Sequence, residues 1–369
     1  MMNGYGYATP IFYPQLFMYI PALLYSMYVP LYVSYFIYIF VMNTATCLIA
    51  WYSFGRIAKK RRITFIACLI YCMSMYRLTN IYVRAAVGEY TAMTFLPLVV
   101  YGLYRIYEKD QETLKFADVL PLVFGVTGIV QSHVLSIEIS AEFIALFALV
   151  MCRKTFKKRR FLMLLLATGM AVLLNVGVLY VLYSGMKMDV IITSAFASYN
   201  IQSDALVPAQ LFTIFGNAEG LSNNRGTYCD IPFAPGIGII IGCGAMLWIV
   251  INRRKYISDR NVRNYRCGII GLCFTLVALF LSTQLFPWDA IGIGAKMQKL
   301  EKLISIIQFP WRYLIIAVIC GSFTTIEALN IISDVLGERN MNRIGLIIAV
   351  FTLVSAGYFY SNYMYTLKD

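Results

Sequence analysis

Two opposite charges, Arg84 and Glu89, stand five residues apart between two long apolar runs, 63–80 and 91–107. This spacing leaves little room for a loop, so it predicts a short polar turn between two helices. One interpretation is an ion pair that closes the turn. The other is functional: a planar guanidinium donates hydrogen bonds in pairs, which suits a phosphate or pyrophosphate. Glu89 would then orient Arg84.

His133 is the single histidine of the chain. An imidazole can hydrogen-bond a sugar or phosphate, or transfer a proton near neutral pH. The alternative is a residue whose hydrogen bonds are satisfied at a helix end. His133 and Glu89 are the candidates for a catalytic role.

Glu138 and Glu142 share a helical face in an apolar segment, where ionisable groups are costly. They are therefore either functional or paired with nearby cations.

A second arginine, Arg312, ends the stretch Gln308-Phe309-Pro310-Trp311-Arg312. Proline is ordinary near a helix start, and tryptophan is ordinary at a membrane interface. The functional interpretation makes Arg312 a second phosphate contact, with Gln308 beside it. The carboxylates of the longest polar segment are interpreted as solvated loop charges, of which one could face the site. They are Asp189, Asp204, Glu219 and Asp230.

Composition defines the elements that must position these side chains. Hydrophobic residues form 60% of the 369 residues, charged residues form 13%, and the mean hydropathy is +0.70. A soluble domain of this length needs a more polar surface. Apolar runs long enough to cross a bilayer recur along the chain. The predicted fold is an all-α, polytopic transmembrane bundle of about ten spans.

The net charge of +13 is distributed in a way that indicates membrane orientation. Of the 31 Lys and Arg residues, 22 lie in five short segments between apolar runs: 55–62, 105–116, 152–160, 252–266 and 334–343. Basic loops stay cytoplasmic in membrane proteins. We therefore predict a multi-pass protein of the cell membrane with both termini outside. The bilayer, and not a nucleic acid, is the predicted partner.

The chain is predicted to form one transmembrane domain, 1–369, with three polar parts on its outer face. Residues 3–30 are rich in tyrosine and broken by prolines, which predicts short interfacial helices. Residues 184–230 form a large outer loop. Residues 286–312 form a second one, whose stretch 295–307 has the pattern of an interfacial amphipathic helix. The cysteines and carboxylates predict no metal site.

Four motifs together resemble bacterial YfhO-type membrane proteins, including those labelled 6-pyruvoyl-tetrahydropterin synthase-related. In chain order they are Gly-Tyr-Gly-Tyr-Ala-Thr-Pro-Ile-Phe-Tyr-Pro-Gln-Leu at 4–16, Arg-Ala-Ala-Val-Gly-Glu-Tyr at 84–90 with Leu-Pro-Leu at 96–98, Gln-Ser-His-Val-Leu-Ser at 131–136, and Gln-Phe-Pro-Trp-Arg at 308–312. Each motif is weak alone, and the set gains specificity from its order. Nothing in these residues indicates pterin chemistry.

The resemblance implies a GT-C-type glycosyltransferase scaffold. Such an enzyme takes a sugar from a polyprenyl-phosphate donor at the outer face and transfers it to a cell-envelope acceptor. Arg84, His133 and Arg312 match the family motifs and are expected to bind the donor. The resemblance leaves open whether a divalent metal takes part.

The family pattern also implies an acidic residue in the first outer loop. Residues 1–83 contain no Asp or Glu, and the sequence stops at Asp369 just after a span. Relative to the family pattern, the chain is therefore expected to be truncated at both ends or to be an inactive relative. Two further functions stay open. A transporter or lipid flippase would use Glu138, Glu142 and Glu327 near the membrane midplane. A non-catalytic envelope scaffold would need no acid.

Overall fold

The computed structural model describes residues 11, 13–188, 201–213, 231–289, 307 and 309–366. These residues fold into helices, and no strand occurs among them, which confirms the all-helical fold class. The helices are α1 (Tyr19–Ser26), α2 (Leu31–Gly55), α3 (Arg61–Cys72), α4 (Met75–Leu78), α5 (Val87–Glu108), α6 (Leu120–Val130), α7 (Val134–Val150), α8 (Cys152–Thr155), α9 (Lys158–Leu174), α10 (Val176–Met186), α11 (Ile237–Ile251), α12 (Arg253–Tyr256), α13 (Val262–Leu281), α14 (Leu314–Val335) and α15 (Gly337–Thr366).

Several of these helices could cross a membrane. By length and composition, α2, α13, α14 with its preceding turn, and α15 qualify. Two bent pairs of helices also qualify if each pair counts as one span. One pair is α3 with the segment Met75–Val83, which begins with α4, and the other is α9 with α10. Exposed apolar side chains cover α2 and α15, as expected of helices in contact with lipid. They include Phe36, Phe40 and Leu48 on α2, and Leu346, Phe351 and Val354 on α15. The number of ten spans and the GT-C topology stay predictions.

The described helices group into two compact units: Met1–Ile49 with Val87–Ser198, and Ala50–Ala86 with Tyr199–Asp369. In the first unit, α5 and α6 pack closely because glycine faces the partner helix. A Cβ on Gly102 would lie 2.5 Å from the amide nitrogen of Leu122. The hydroxyls of Tyr38 and Thr91 join α2 to α5 at 2.6 Å. Small residues and buried hydroxyl pairs are the usual means of joining apolar helices.

The second unit is built around α14. Residues Pro310–Val335 have 89% of their most apolar window buried, far more than the other long apolar helices. Helices α3, α11, α13 and α15 pack against α14. Close approach again depends on glycine: a Cβ on Gly242 of α11 would collide with Thr325, and one on Gly271 of α13 would lie 2.6 Å from the Thr324 hydroxyl. Helix α14 is therefore the core of this unit.

Two predicted apolar runs are not continuous helices. The run 63–80 breaks after Cys72, where Ser74 has an extended backbone (ψ 139°), and the two parts meet at 45°. The run 231–251 becomes helical only at Ile237, because Pro232 and Pro235 keep its first six residues out of the helix. Both differences position side chains of the candidate site.

Several sequence predictions lie outside the described residues. They are Gln308, the amphipathic stretch 295–307 except Ile307, and most of the outer loop 184–230, including Asp189, Glu219 and Asp230. For residues 3–30, the described part contains the short helices Leu16–Met18 and Tyr19–Ser26, and their depth in a membrane stays a prediction.

Candidate functional site

Arg84 follows a break and a local widening of the helix that begins with α3. After α4 the chain continues as a π-helical turn, Thr79–Val83, a form frequent at functional sites. The Arg84 amide donates to the Thr79 carbonyl at 2.9 Å, and Ala85 has a left-handed backbone, with φ +47°. The polar turn predicted at this point therefore exists. It holds Arg84, whose Nη1 donates to Asn80 Oδ1 at 2.5 Å.

The non-helical segment 231–236 lies against this turn. The Thr79 hydroxyl donates to the Pro232 carbonyl at 3.0 Å. Gly236 has a φ of +106°, and a Cβ there would lie 3.2 Å from the Met75 amide. Glycine is required both by this backbone conformation and by the close approach. The segment thereby presents Phe233, whose ring lies beneath the Arg84 guanidinium at 5.6 Å.

Arg312 reaches the same group of rings from the start of α14. It lies in the short helix Pro310–Tyr313, and its Nη1 donates to the Ile307 carbonyl at 2.7 Å. Its guanidinium stands over the ring of Phe309 at 5.0 Å. Polar contacts and an aromatic face thus orient both cations, and a cation over an aromatic ring is attracted by its quadrupole.

Three near-parallel rings join the two arginines. The Trp311 indole stacks on Phe233 with centroids 4.8 Å apart and planes 14° apart, and on Phe309 with centroids 4.4 Å apart and planes 10° apart. We call Arg84, Phe233, Trp311, Phe309 and Arg312 the aromatic ladder. The Trp311 Nε1 atom is buried and has no hydrogen-bond partner among the described residues. The ladder brings two motif arginines, 228 positions apart in the chain, into one group.

Segments of the two predicted outer loops pack beside the ladder. The helix Ile201–Asp204 lies against Pro310–Tyr313. Leu206 donates its amide to the Ser282 carbonyl at 3.0 Å and accepts from the Gln284 amide at 2.9 Å. The Trp288 ring stacks on Tyr313 at 5.8 Å. These contacts make 201–213 and 282–289 one layer within the second unit.

Asp204 belongs to this layer and is half-buried, whereas its position predicted a solvated loop charge. Its Oδ2 atom is buried, with no hydrogen-bond partner among the described residues.

Sequence alone did not identify Phe233 as a residue of the site. Its only sequence signal is its place between two prolines, Pro232 and Pro235, at the start of an apolar run. A carboxylate in a loop and a phenylalanine in an apolar run are too common for sequence to single them out.

His133 lies in the first unit and caps a helix. It is the residue before α7, and its Nδ1 accepts a hydrogen bond from the Ser136 amide at 3.3 Å and lies 2.8 Å from the Ser136 hydroxyl. The edge of its ring meets Tyr13 with centroids 5.8 Å apart. This geometry agrees with the interpretation of His133 as a helix-end residue. The cap requires an Nδ1 that carries no proton, because this nitrogen accepts the hydrogen bond. A donor or acid–base role for Nε2 stays a prediction.

Glu89 also lies in the first unit, buried in the first turn of α5. The preceding amide, that of Gly88, donates to the Tyr13 hydroxyl at 2.7 Å. Arg84 and Arg312 belong to the second unit. The Arg84–Glu89 ion pair and a common cavity for Arg84, His133 and Arg312 therefore stay predictions.

Glu327 is fully buried in α14, in the second unit. Its Oε2 accepts from Asn264 Nδ2 of α13 at 2.5 Å and from Asn330 Nδ2 at 3.2 Å. Asn330 in turn accepts from the Lys59 amide at 3.0 Å, and the Lys59 side chain pairs with Asp334. Glu327 is thus paired with another helix. These amides and charges join α14 to α13 and to the chain before α3.

No group of three His, Cys, Asp or Glu side chains that could hold a metal ion occurs in the described ranges. Comparison with protein-family models, with curated proteins and with solved structures gives no match for this chain. The resemblance to YfhO-type proteins therefore depends on the four sequence motifs alone.

Proposed function

We propose that this protein is a GT-C-like membrane glycosyltransferase, and that the aromatic ladder binds the phosphate of a polyprenyl-linked sugar donor. The observation that carries the proposal is the joining of Arg84 and Arg312, the two motif arginines, through stacked Phe233, Trp311 and Phe309. Each guanidinium, one at either end of the ladder, offers paired N–H donors that match phosphate oxygens.

The ladder supports phosphate binding through rigidity. An arginine on a mobile side chain loses rotamer entropy when it binds a ligand. Here the faces of Phe233 and Phe309 and the acceptors Asn80 Oδ1 and Ile307 O already restrict the two side chains. Less entropy is then lost on binding, which is how preorganised sites gain affinity.

The proposed chemistry is transfer of the sugar to a hydroxyl of a cell-envelope acceptor. The acceptor oxygen forms a bond to the anomeric carbon, and the bond from that carbon to the phosphate oxygen breaks. Polyprenyl phosphate leaves with the electron pair, where the arginines stabilise its charge. The acceptor proton goes to a base. Asp204 is our candidate, since its helix packs on Pro310–Tyr313, with His133 and Glu89 as the candidates predicted from sequence.

The experiment measures binding and transfer separately. The purified full chain in nonionic detergent is titrated with polyprenyl phosphate, and transfer is followed with a radiolabelled polyprenyl-phosphate sugar and an envelope extract as acceptor. Arg84→Ala and Arg312→Ala should each weaken binding roughly tenfold or more, the scale of a charged hydrogen bond. The matched control is Arg56→Ala, because Arg56 also stands over a ring, Tyr52 at 5.4 Å, but outside the ladder.

Each outcome has a distinct meaning. Unchanged binding in Arg84→Ala and Arg312→Ala would remove the phosphate role of the ladder. Normal binding with lost transfer in Asp204→Asn would support the carboxylate as the base, whereas full transfer in that variant would exclude it. Binding without transfer by the unaltered chain would favour a non-catalytic scaffold.

A transporter or lipid flippase is the second candidate, and a specific observation favours it. The apolar run of α3 and α4 is broken and bent by 45°, and α14 carries the buried Glu327. Broken helices and buried ionisable groups are typical of substrate and ion sites in transporters. Vesicles containing the protein and a fluorescent polyprenyl-phosphate sugar would distinguish the two: a flippase moves the lipid between leaflets without an acceptor.

A further inference from the structure

The turn between α7 and α9, in the first unit, uses its positive charges in two ways. Residues 152–160 contain six cations: Arg153, Lys154, Lys157, Lys158, Arg159 and Arg160. Three of them bind the protein itself, and three project outward. A basic loop that only sets membrane orientation does not need such a division of its cations, so the outward-pointing group has room for a second role.

Arg160 holds the turn in place. It is 4% exposed, and its guanidinium donates to three backbone carbonyls: Ile106 at 3.0 Å, Lys154 at 3.0 Å and Lys109 at 2.8 Å. It also lies over the Tyr107 ring at 5.7 Å. A buried guanidinium is costly unless its donors are satisfied. Two of these carbonyls lie at the end of α5 and one lies in the turn itself, so together they make the conformation of the turn specific.

Further contacts fix the same turn. The hydroxyls of Tyr107 and Thr155 lie 2.8 Å apart, and Arg159 donates to the Leu114 carbonyl at 2.7 Å. Lys154 donates to the Tyr107 carbonyl at 3.4 Å and faces Glu108 at 3.6 Å. The polypeptide that carries the remaining cations is therefore tied to the end of α5 and the chain that follows it.

The outward-facing group consists of Arg153, Lys157 and Lys158, with Phe156 among them; we call these four residues the basic turn surface. All four side chains are exposed, Phe156 by 67%. The side chains of the three cations make no hydrogen bond or ion pair with any part of the chain that the structure describes. Held cations without acidic partners attract a polyanion or an anionic surface.

The surroundings of this surface indicate which anion it meets. Large apolar side chains are exposed on both flanking helices, Leu149 and Val150 at the end of α7 and Leu162 and Leu165 on α9. An open groove of about 410 Å³ runs along Val150–Lys154. A soluble polyanion would leave these apolar groups in water. A lipid surface covers them with acyl chains and meets the cations with headgroups.

We propose that the basic turn surface binds the headgroups of anionic phospholipids. Arg153, Lys157 and Lys158 contact the phosphates, and Phe156 enters the boundary between headgroups and acyl chains, where aromatic rings are favoured. Each cation near an anionic leaflet contributes to binding. This surface belongs to the first unit and is independent of the proposed transferase activity.

The test compares two triple variants of the full chain, purified in nonionic detergent. One is R153Q/K157Q/K158Q. The matched control is R253Q/R254Q/K255Q, which removes the same charge from the exposed cations of α12, where the aromatic residue, Tyr256, is buried. Retention of fluorescent phosphatidylglycerol is measured in mixed micelles against fluorescent phosphatidylcholine. Apparent thermal unfolding of each variant in the same detergent reports whether it is folded.

The expected result is a loss of phosphatidylglycerol affinity of roughly tenfold to a hundredfold in R153Q/K157Q/K158Q alone, with unchanged phosphatidylcholine binding. Equal losses of affinity in both triple variants would show that the lipid responds only to the net charge of the protein, and would overturn the proposal. So would unchanged affinity in both. Displacement of the lipid by millimolar inorganic phosphate would identify a free phosphate site instead, since a lipid surface resists such competition.

Discussion

The ring of Phe233 stacks on the indole of Trp311 with centroids 4.8 Å apart and planes 14° apart. Phe233 comes from a non-helical segment that prolines keep out of the helix, and Trp311 comes from the turn that starts α14. Their contact joins the arginine that follows α4 to the arginine that precedes α14. This pair is the centre of the aromatic ladder.

Replacing Trp311 by Leu should lower the affinity for polyprenyl phosphate about fivefold or more, because each stacked aromatic pair contributes about 1 kcal/mol beyond its buried area. Trp311→Phe keeps a stacking ring and removes only Nε1, so binding should stay within about twofold. The measurement is the same titration in detergent. A loss in Trp311→Phe as large as in Trp311→Leu would mean that the indole nitrogen, and not the stack, carries the contact.

Asp118 should stabilise the first unit in a pH-dependent way. Its side chain is 1% exposed. Burial raises the pKa of Asp118, but hydrogen bonds from Lys109, the Lys115 amide and Arg105 lower it by more, so the pKa lies below its ordinary 3.8. A lowered pKa stabilises the fold above the unfolded value and loses that contribution as pH falls through the folded value.

Asp118→Asn should therefore lower the apparent unfolding temperature by several degrees at pH 7. Breaking a fully buried charge pair costs about 3–5 kcal/mol, and the partial exposure of Arg105 and Lys109 reduces this cost. The difference from the unaltered chain should shrink as the pH falls below the ordinary pKa. Asp110→Asn is the control, because Asp110 is exposed. A difference that stays constant down to the lowest pH would contradict the ionic role of Asp118.

His133 allows a test that separates capping from chemistry. Asparagine is among the best N-cap residues and alanine is poor, so His133→Ala should cost about 1 kcal/mol of stability and His133→Asn much less. If His133 only caps α7, transfer should survive in His133→Asn. Loss of transfer in a stable His133→Asn variant would instead assign it an acid–base or donor-binding role.

The close packing on α14 should be sensitive to a single methyl group. A Cβ at Gly242 meets Thr325, whereas a Cβ at Gly244, on the same helix, meets nothing within 4 Å. Gly242→Ala should destabilise the protein by about 1–3 kcal/mol through overpacking. Gly244→Ala should be neutral or stabilising by up to about 1 kcal/mol, because alanine favours helix. Thermal unfolding of the two variants in one detergent checks the difference, and equal behaviour would mean that α11 shifts without cost.

Sequence alone determined the features that depend on composition and local chemistry. Long apolar runs must satisfy their backbone polar groups internally, so they form helices. The polar turn at Arg84 and the proline at the start of the turn before α14 follow from local spacing and backbone restriction. The cap made by His133 was one of two local interpretations. Each depends on residues close in sequence.

Tertiary structure decided which distant residues meet. Nothing local distinguishes Phe233 from other phenylalanines or Asp204 from other loop carboxylates, because their roles depend on partners in other segments. The same is true of Arg160. It lies in a run of Lys and Arg residues, so the sequence gives no reason to distinguish it from its neighbours. Its burial against three carbonyls follows only once α5 and α9 are brought together. Charge pattern therefore predicted the basic loop, whereas packing determined which of its cations bind the protein and which point outward.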